Sequence, residues 1–206
     1  MNIKPLLLKH MQPLLLFLMV ILTRLIPHPP NFTMAISALV YSAWQDKRNN
    51  DCYENKQNNT YYIWVLLGLV MSDLVLALGA SNCQLGGMPG YHVYLSYLIV
   101  VLISKSISTR SGGLLTTGIG QLLTTRSNQL LTVSICSAAF FIFSNLGVWC
   151  TSNMYESSAQ GLMNCYLMAI PFAGLQLCGD LFYFQIIKSI FKPIMTKHAF
   201  KVWEIS

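Results

Sequence analysis

Long runs of apolar residues separated by short polar segments dominate this chain. A helix needs roughly 17 to 25 residues to cross the ~30 Å hydrocarbon core of a bilayer, and six runs approach or exceed that length. The second run is short and follows three prolines. The last run is interrupted by Pro171 and is longer than the bilayer needs, so we expect a tilt, a kink or an interfacial first turn. We predict one all-α transmembrane domain, residues 1–206, with spans at about 11–26, 32–45, 61–80, 91–104, 130–150 and 161–188.

Composition supports a membrane protein. Charged residues make up 10% of the chain and apolar ones 54%, with a mean hydropathy of +0.51; a soluble domain carries roughly a quarter charged residues. The net charge of +6 raises nucleic-acid binding as an alternative. A nucleic-acid binder gathers its basic residues on one polar face, whereas here they lie in short segments between apolar runs. We therefore expect no nucleic-acid partner and expect contact with membrane lipid.

The basic residues also predict the topology. Cytoplasmic loops of membrane proteins carry the excess of Lys and Arg. Six spans with the N-terminus inside place twelve of the thirteen basic residues on the cytoplasmic face and leave only Arg24 near the outside. Both termini are therefore predicted to be cytoplasmic, and the outer segments are residues 28–31, 81–90 and 151–160.

Two carboxylates fall within predicted spans. An ionisable residue inside a membrane is costly unless it is paired or lines a wet cavity, and it commonly marks a functional site. Asp73 is a candidate for ligand or ion contact, with a structural hydrogen bond as the alternative. Asp180 is equally open to a ligand role or to a tie between helices. Asn145 and Gln176 are more typical of polar contacts between helices.

The predicted outer face carries further candidate ligand groups. They are an imidazole at His28 and at His92, a phenol at Tyr91 and at Tyr155, and a thiol at Cys83. The alternative for each histidine is a solvated side chain at the membrane surface. Cys83 has a second alternative, because an oxidising exterior would allow it to form a disulfide with Cys150.

The chain carries no P-loop, no nucleophilic triad and no Cys/His zinc motif. A transporter without a nucleotide site uses ion gradients or relies on a separate motor protein. An intramembrane enzyme is a weaker hypothesis, because Asp73 with Cys83 or His28 is the only candidate set. A structural membrane subunit without transport activity would need none of these outer-face groups.

Several short motifs resemble a family of small bacterial putative transport proteins. That family is similar to the substrate-binding S components of energy-coupling-factor vitamin transporters. The resemblance implies six helices in the bacterial inner membrane and a vitamin pocket toward the periplasm. The motifs lie at residues 24–32, 72–74, 90–97, 143–149 and 179–182.

Four residues narrow the resemblance to cobalamin-specific S components: His28, Asp73, Cys83 and Tyr91. It implies that Cys83 coordinates the cobalt of a bound corrinoid, and that cobalamin is a transported ligand rather than a resident cofactor. The chemistry is compatible, because a thiolate is a soft donor and a corrinoid needs only one axial ligand from the protein. His28 or His92 would assist deprotonation of the thiol. Displacement of an existing axial ligand would make the protein promote ligand exchange.

Small residues at helical spacing mark a close helix contact in the second predicted span. Ala38 and Ser42 have the small-xxx-small form, and the residue-based interpretation is packing within the bundle. The resemblance implies a second interpretation. In S components such a face docks on the shared transmembrane coupling subunit, which works with ATPases, and this docking would involve Ala35, Ala38 and Ser42.

Overall fold

The computed structural model describes residues 3–52, 60–79, 90–110 and 126–203, and these residues form helices with no strand among them. We number the helices in chain order. They are α1 (Ile3–Leu25), α2 (Ala35–Cys52), α3 (Thr60–Gly79), α4 (Tyr91–Arg110), α5 (Arg126–Thr151) and α6 (Ala159–Trp203). The predicted all-helical class is confirmed.

Four of the described helices, α3 to α6, are long and apolar enough to cross a membrane. The apolar part of α1 is shorter and covers Met11–Leu25. The last helix, α6, is continuous through Pro171 and extends beyond both ends of the predicted span. Its span-like part, Ala159–Phe191, has 33 residues, which correspond to about 50 Å of helix.

Helix α2 lies at the centre of the bundle. It is more polar than α3 to α6 and is not among the helices that are long and apolar enough to cross a membrane. Its residues 35–43 are all buried, and it contacts the five other helices. The hydroxyl of Ser108 in α4 donates to the carbonyl of Ala43 in α2. Ser108 lies 17 residues after the start of α4, whereas Ala43 lies eight residues after the start of α2. At about 1.5 Å per residue, α2 therefore begins about 14 Å further into the bundle than α4 does. The segment 26–34 therefore descends into the bundle before α2 begins.

The described surface is apolar where a soluble protein would be polar. Exposed side chains along α1 and α3 include Leu18, Leu22, Leu67 and Val75, while the buried set includes Ser37, Ser72, Asp73 and Asp180. Without water, buried polar groups must be satisfied inside the bundle. Exposed apolar faces around buried polar groups are the arrangement expected in lipid.

Helix α1 runs parallel to α3. The Tyr61 hydroxyl donates to Gln12 at 2.7 Å, and Arg24 contacts Asp73 twelve residues further along both helices. At the opposite end from Gln12, the end of α5 contacts the start of α4 through Thr151 and His92, 3.2 Å apart. We call this end, where α1, α3 and α5 finish, the cavity end.

Candidate functional site

A cavity of about 490 Å³ opens within the bundle toward the cavity end. All six helices and the segment between α1 and α2 contribute to its wall. Ligand sites for small molecules typically enclose ~300–1,000 Å³ and combine apolar walls with a few placed polar groups. The polar wall residues are Arg24, His28, Asn31, Thr33, Ser144, Asn145, Gln176 and Asp180.

An ion pair lies beside the part of the cavity wall that α1 forms. Arg24 from α1 contacts Asp73 from α3 through Nη2 and Oδ1, and the Arg24 and Asp73 side chains are only 14% and 2% exposed. The Tyr94 hydroxyl donates to the other Asp73 oxygen at 2.8 Å. Asp73 therefore has the partner that a buried carboxylate needs. Arg24 lines the cavity and Asp73 does not, so the carboxylate lies behind the wall, against the guanidinium.

Aromatic rings form one side of the cavity. Tyr97 of α4 stacks on Phe140 of α5 with ring centroids 4.8 Å apart, and the Tyr97 hydroxyl lies 3.5 Å from Arg24 Nη1. Phe141 and Phe172 complete this side. The wall therefore places aromatic rings next to a positive charge.

The segment between α1 and α2 brings His28 into the wall. Its three prolines cannot continue a helix, and the turn closes with Phe32 N–H donating to the Pro29 carbonyl at 3.0 Å. Asn31 has a φ of 62°, a left-handed conformation that asparagine tolerates well. The His28 ring nitrogen Nδ1 lies 2.8 Å from the Pro29 carbonyl, so it donates there and leaves Nε2 for other contacts.

Phe32 anchors the same segment on α6. Its ring lies 5.9 Å from that of Phe182 and 5.5 Å from that of Tyr183, measured between centroids. It also covers Gly179, where a Cβ atom would lie only 3.0 Å from the ring. An added Cβ would force Phe32 to move by a few tenths of an ångström, so glycine favours the close approach that packs the segment against α6.

A buried polar cluster forms the floor of the cavity. Gln176 in α6 donates to the carbonyl and the hydroxyl of Ser137 in α5, at 3.1 and 3.0 Å. The Ser37 hydroxyl in α2 donates to the backbone carbonyl of Asp180 at 2.5 Å. Gln176 thus joins two helices as expected, whereas Asn145 donates within its own helix, to the Phe141 carbonyl.

Three of the predicted ligand residues lie outside the cavity wall. Tyr91 is exposed, and His92 lies beside Thr151 at the rim. His92 also packs so closely on Gly147 that a Cβ there would come within 2.3 Å of the His92 Cβ. Tyr155 is half-buried in the segment that joins α5 to α6. Of the five predicted ligand residues, the structure places His28 in the wall and Asp73 directly behind it.

The predicted cobalt ligand, Cys83, lies outside the described residues. Its predicted alternative partner, Cys150, is exposed and carries a free thiol. Within the described part of the chain, no group of three or more His, Cys, Asp or Glu side chains is placed to hold a metal ion.

The structure buries the small residues that we considered for docking. Ala35, Ala38 and Ser42 are 2%, 0% and 0% exposed, and the Ser42 hydroxyl donates to the Ala38 carbonyl in the same helix. Because α2 is surrounded by the other helices, these residues do not form an exposed face. Their small size serves packing within the bundle.

Several wall residues were not among the predicted site residues. Arg24 carried a usable signal, since it is the one basic residue that the predicted topology leaves near the outside. Tyr97 and Phe140 carried none, because aromatic residues within apolar helices are equally compatible with lipid contact or packing.

The fold is all-helical over the described residues, with four helices long and apolar enough to span a membrane and a cavity inside the bundle. The model of a family described as "Family of unknown function (DUF6580)" matches residues 6–202, and the chain belongs to that family. No curated protein matches the chain. No solved structure matches it either.

Proposed function

We propose that this chain is the substrate-binding membrane component of a vitamin transporter, and that cobalamin is the substrate. The observation that carries the proposal is the cavity at the cavity end, walled by all six helices and containing Arg24, His28 and Asp180. A structural subunit has no need for a cavity that combines charged groups with aromatic faces. In this proposal the six-helix bundle lies in the bacterial inner membrane, the cavity end faces the periplasm, and both termini are cytoplasmic.

The cobalamin assignment depends on Cys83. This residue belongs to the connection from α3 to α4, and the flanking helices end and begin at the cavity end. A corrinoid is larger than the cavity, so part of it would project past the mouth toward this connection. One thiolate from the connection would then complete the axial coordination of cobalt. His28 is the wall residue available to accept the thiol proton, since His92 is turned toward Thr151.

The transport cycle needs an energy source outside this chain. We propose that an energy-coupling-factor module, with its membrane subunit and ATPases, supplies it. Because Ala35, Ala38 and Ser42 are buried, docking of that module would use the outer surface of the bundle. A transporter of the same type for another small molecule is the second candidate, favoured by a cavity volume of about 490 Å³, which is sufficient for a smaller vitamin.

The visible absorption spectrum of the purified protein with cobalamin tests the proposal. We expect binding to shift the corrinoid bands, and Cys83→Ser to abolish the shift and weaken binding more than tenfold, or about 1.4 kcal/mol. A hydroxyl is a harder and far less acidic donor than a thiol, so serine does not replace the thiolate.

Cys150→Ser is the matched control, because Cys150 is exposed and has a free thiol. We expect this variant, and treatment with a reducing agent, to leave the spectrum unchanged. If both substitutions weaken binding equally, Cys83 is part of a disulfide with Cys150 rather than a cobalt ligand. If Cys83→Ser has an unchanged spectrum and full uptake, Cys83 does not coordinate cobalt, and the second candidate, a transporter for another small molecule, is favoured. If cells that depend on this transport grow normally after His28, Asp73 and Cys83 are all substituted, the protein is a structural subunit.

A further inference from the structure

We propose that the floor of the cavity is a subsite for a nitrogen-bound hydrogen-bond donor, an ammonium or a primary amide group, with the Asp180 carboxylate as its acceptor. The inference rests on the proposed function only in taking the cavity as a ligand site. It assigns the chemical class of the group that enters deepest, whichever compound carries it.

Asp180 is buried, lines the cavity, and keeps one oxygen unused. It is 1% exposed, and its carboxylate lies within hydrogen-bonding reach of Ser137 and Gln176. The second oxygen, Oδ2, has no hydrogen-bond partner among the residues the structure describes. A buried acceptor without a partner is costly, and native proteins seldom keep one without a reason.

The structural alternative does not account for the free oxygen. A tie between α2 and α6 is already made by the Ser37 hydroxyl on the Asp180 backbone carbonyl. A tie between α5 and α6 is already made by Gln176 and Ser137. Neither contact uses the Asp180 side chain, so neither explains an unpaired oxygen on a buried side chain whose residue lines the cavity.

The charges around the cavity favour a cationic or donor group over an anionic one at this depth. Arg24 is the basic side chain of the wall, and its guanidinium is engaged by Asp73. Among the residues that the structure describes, no cationic side chain forms a salt bridge with Asp180.

The aromatic wall is compatible with the same class of group. Tyr97, Phe140 and Phe172 line the cavity together with Asp180. Ammonium groups are attracted to the faces of such rings, and the attraction is larger where water is excluded. Corrinoids carry primary amides around the macrocycle, so the subsite also fits the proposed substrate.

The first experiment measures the stability of the protein without ligand. Asp180→Asn keeps the shape of the side chain and removes its charge, and we expect an unfolding temperature equal to or above that of the wild type. Asp73→Asn is the matched control, since it breaks an ion pair, and we expect its unfolding temperature to fall. A comparable fall in Asp180→Asn would assign Asp180 a structural role and overturn the proposal.

The second experiment uses three small probes of similar shape: benzylammonium, benzamide and benzoate. We expect the first two to raise the unfolding temperature of the wild type and benzoate to have no effect. In Asp180→Asn we expect the affinity for benzylammonium to fall at least tenfold. Equal effects of benzoate and benzylammonium, an undiminished response in the variant, or no response to any probe would each contradict the subsite.

The two proposals fail separately. The cobalamin spectrum reports on Cys83, whereas the amine and amide probes report on Asp180. Discrimination among the probes without any cobalamin shift would keep the subsite and remove the proposed substrate. A cobalamin shift without discrimination among the probes would keep the substrate and remove the subsite.

Discussion

Arg24 and Asp73, forty-nine residues apart in the sequence, form a buried ion pair that joins the last turn of α1 to α3. The register of the two parallel helices makes this contact possible, since Gln12 and Tyr61 meet twelve residues earlier on both. The pair fixes a guanidinium at the wall of the cavity. It thereby connects the packing of the bundle with the chemistry of the site.

We expect Asp73→Asn to lower the free energy of unfolding by about 3–5 kcal/mol, because removal of one partner leaves a largely buried charge uncompensated. Tyr94→Phe removes only the hydroxyl that donates to Asp73, and about 1 kcal/mol is expected. Thermal or denaturant unfolding in detergent measures both. Equal and small losses would mean that the ion pair contributes little to stability.

The same Asp73→Asn variant should weaken ligand binding more than twofold, since it frees the Arg24 side chain that lines the cavity. Titration of the folded variant with cobalamin, or with benzylammonium, measures the effect separately from stability. Affinities within twofold of the wild type would show that the orientation of Arg24 does not matter to the site.

The contact between Phe32 and Gly179 predicts a difference between two glycines of α6. Gly179→Ala would place a methyl group 3.0 Å from the Phe32 ring, and we expect it to destabilise the protein by about 1–3 kcal/mol. Gly174→Ala is the control, because a Cβ there meets nothing within 4 Å and alanine is the better helix former. Equal unfolding temperatures for the two variants would exclude the close approach of Phe32.

The contact between α4 and α5 at the rim gives a more severe test. A Cβ on Gly147 would lie 2.3 Å from the Cβ of His92, so Gly147→Ala must push the two helices apart. We expect a larger loss of stability than for Gly179→Ala. His92→Ala should not rescue it, since alanine keeps the clashing Cβ. Full rescue by His92→Ala would show that only the imidazole ring opposes the added methyl.

The proposed topology predicts which positions a membrane-impermeant thiol reagent reaches in intact cells. In a background with all six native cysteines changed to Ser, Glu156→Cys should react from outside. Asn50→Cys, near the other end of the bundle, should react only after the membrane is opened. Labelling of position 50 from the periplasm would reverse the proposed orientation.

The sequence alone determined the helices and much of their order. Hydropathy and run length predict helix positions because each helix satisfies its own backbone in lipid, and the predicted starts at residues 61 and 91 lie within one residue of the starts of α3 and α4. The need of Asp73 for a partner and the place of His28 near the site also followed from local chemistry.

Only the tertiary structure decided which residues meet. Arg24 became the partner of Asp73, and Ala38 became core rather than surface, because depth, tilt and neighbour choice arise from packing between helices. Hydropathy does not distinguish a helix face that meets lipid from one that meets protein, since both are apolar. For the same reason, the descent of segment 26–34 and the meeting of Asp180 with Ser37 were not readable from the chain, although they form the floor of the cavity.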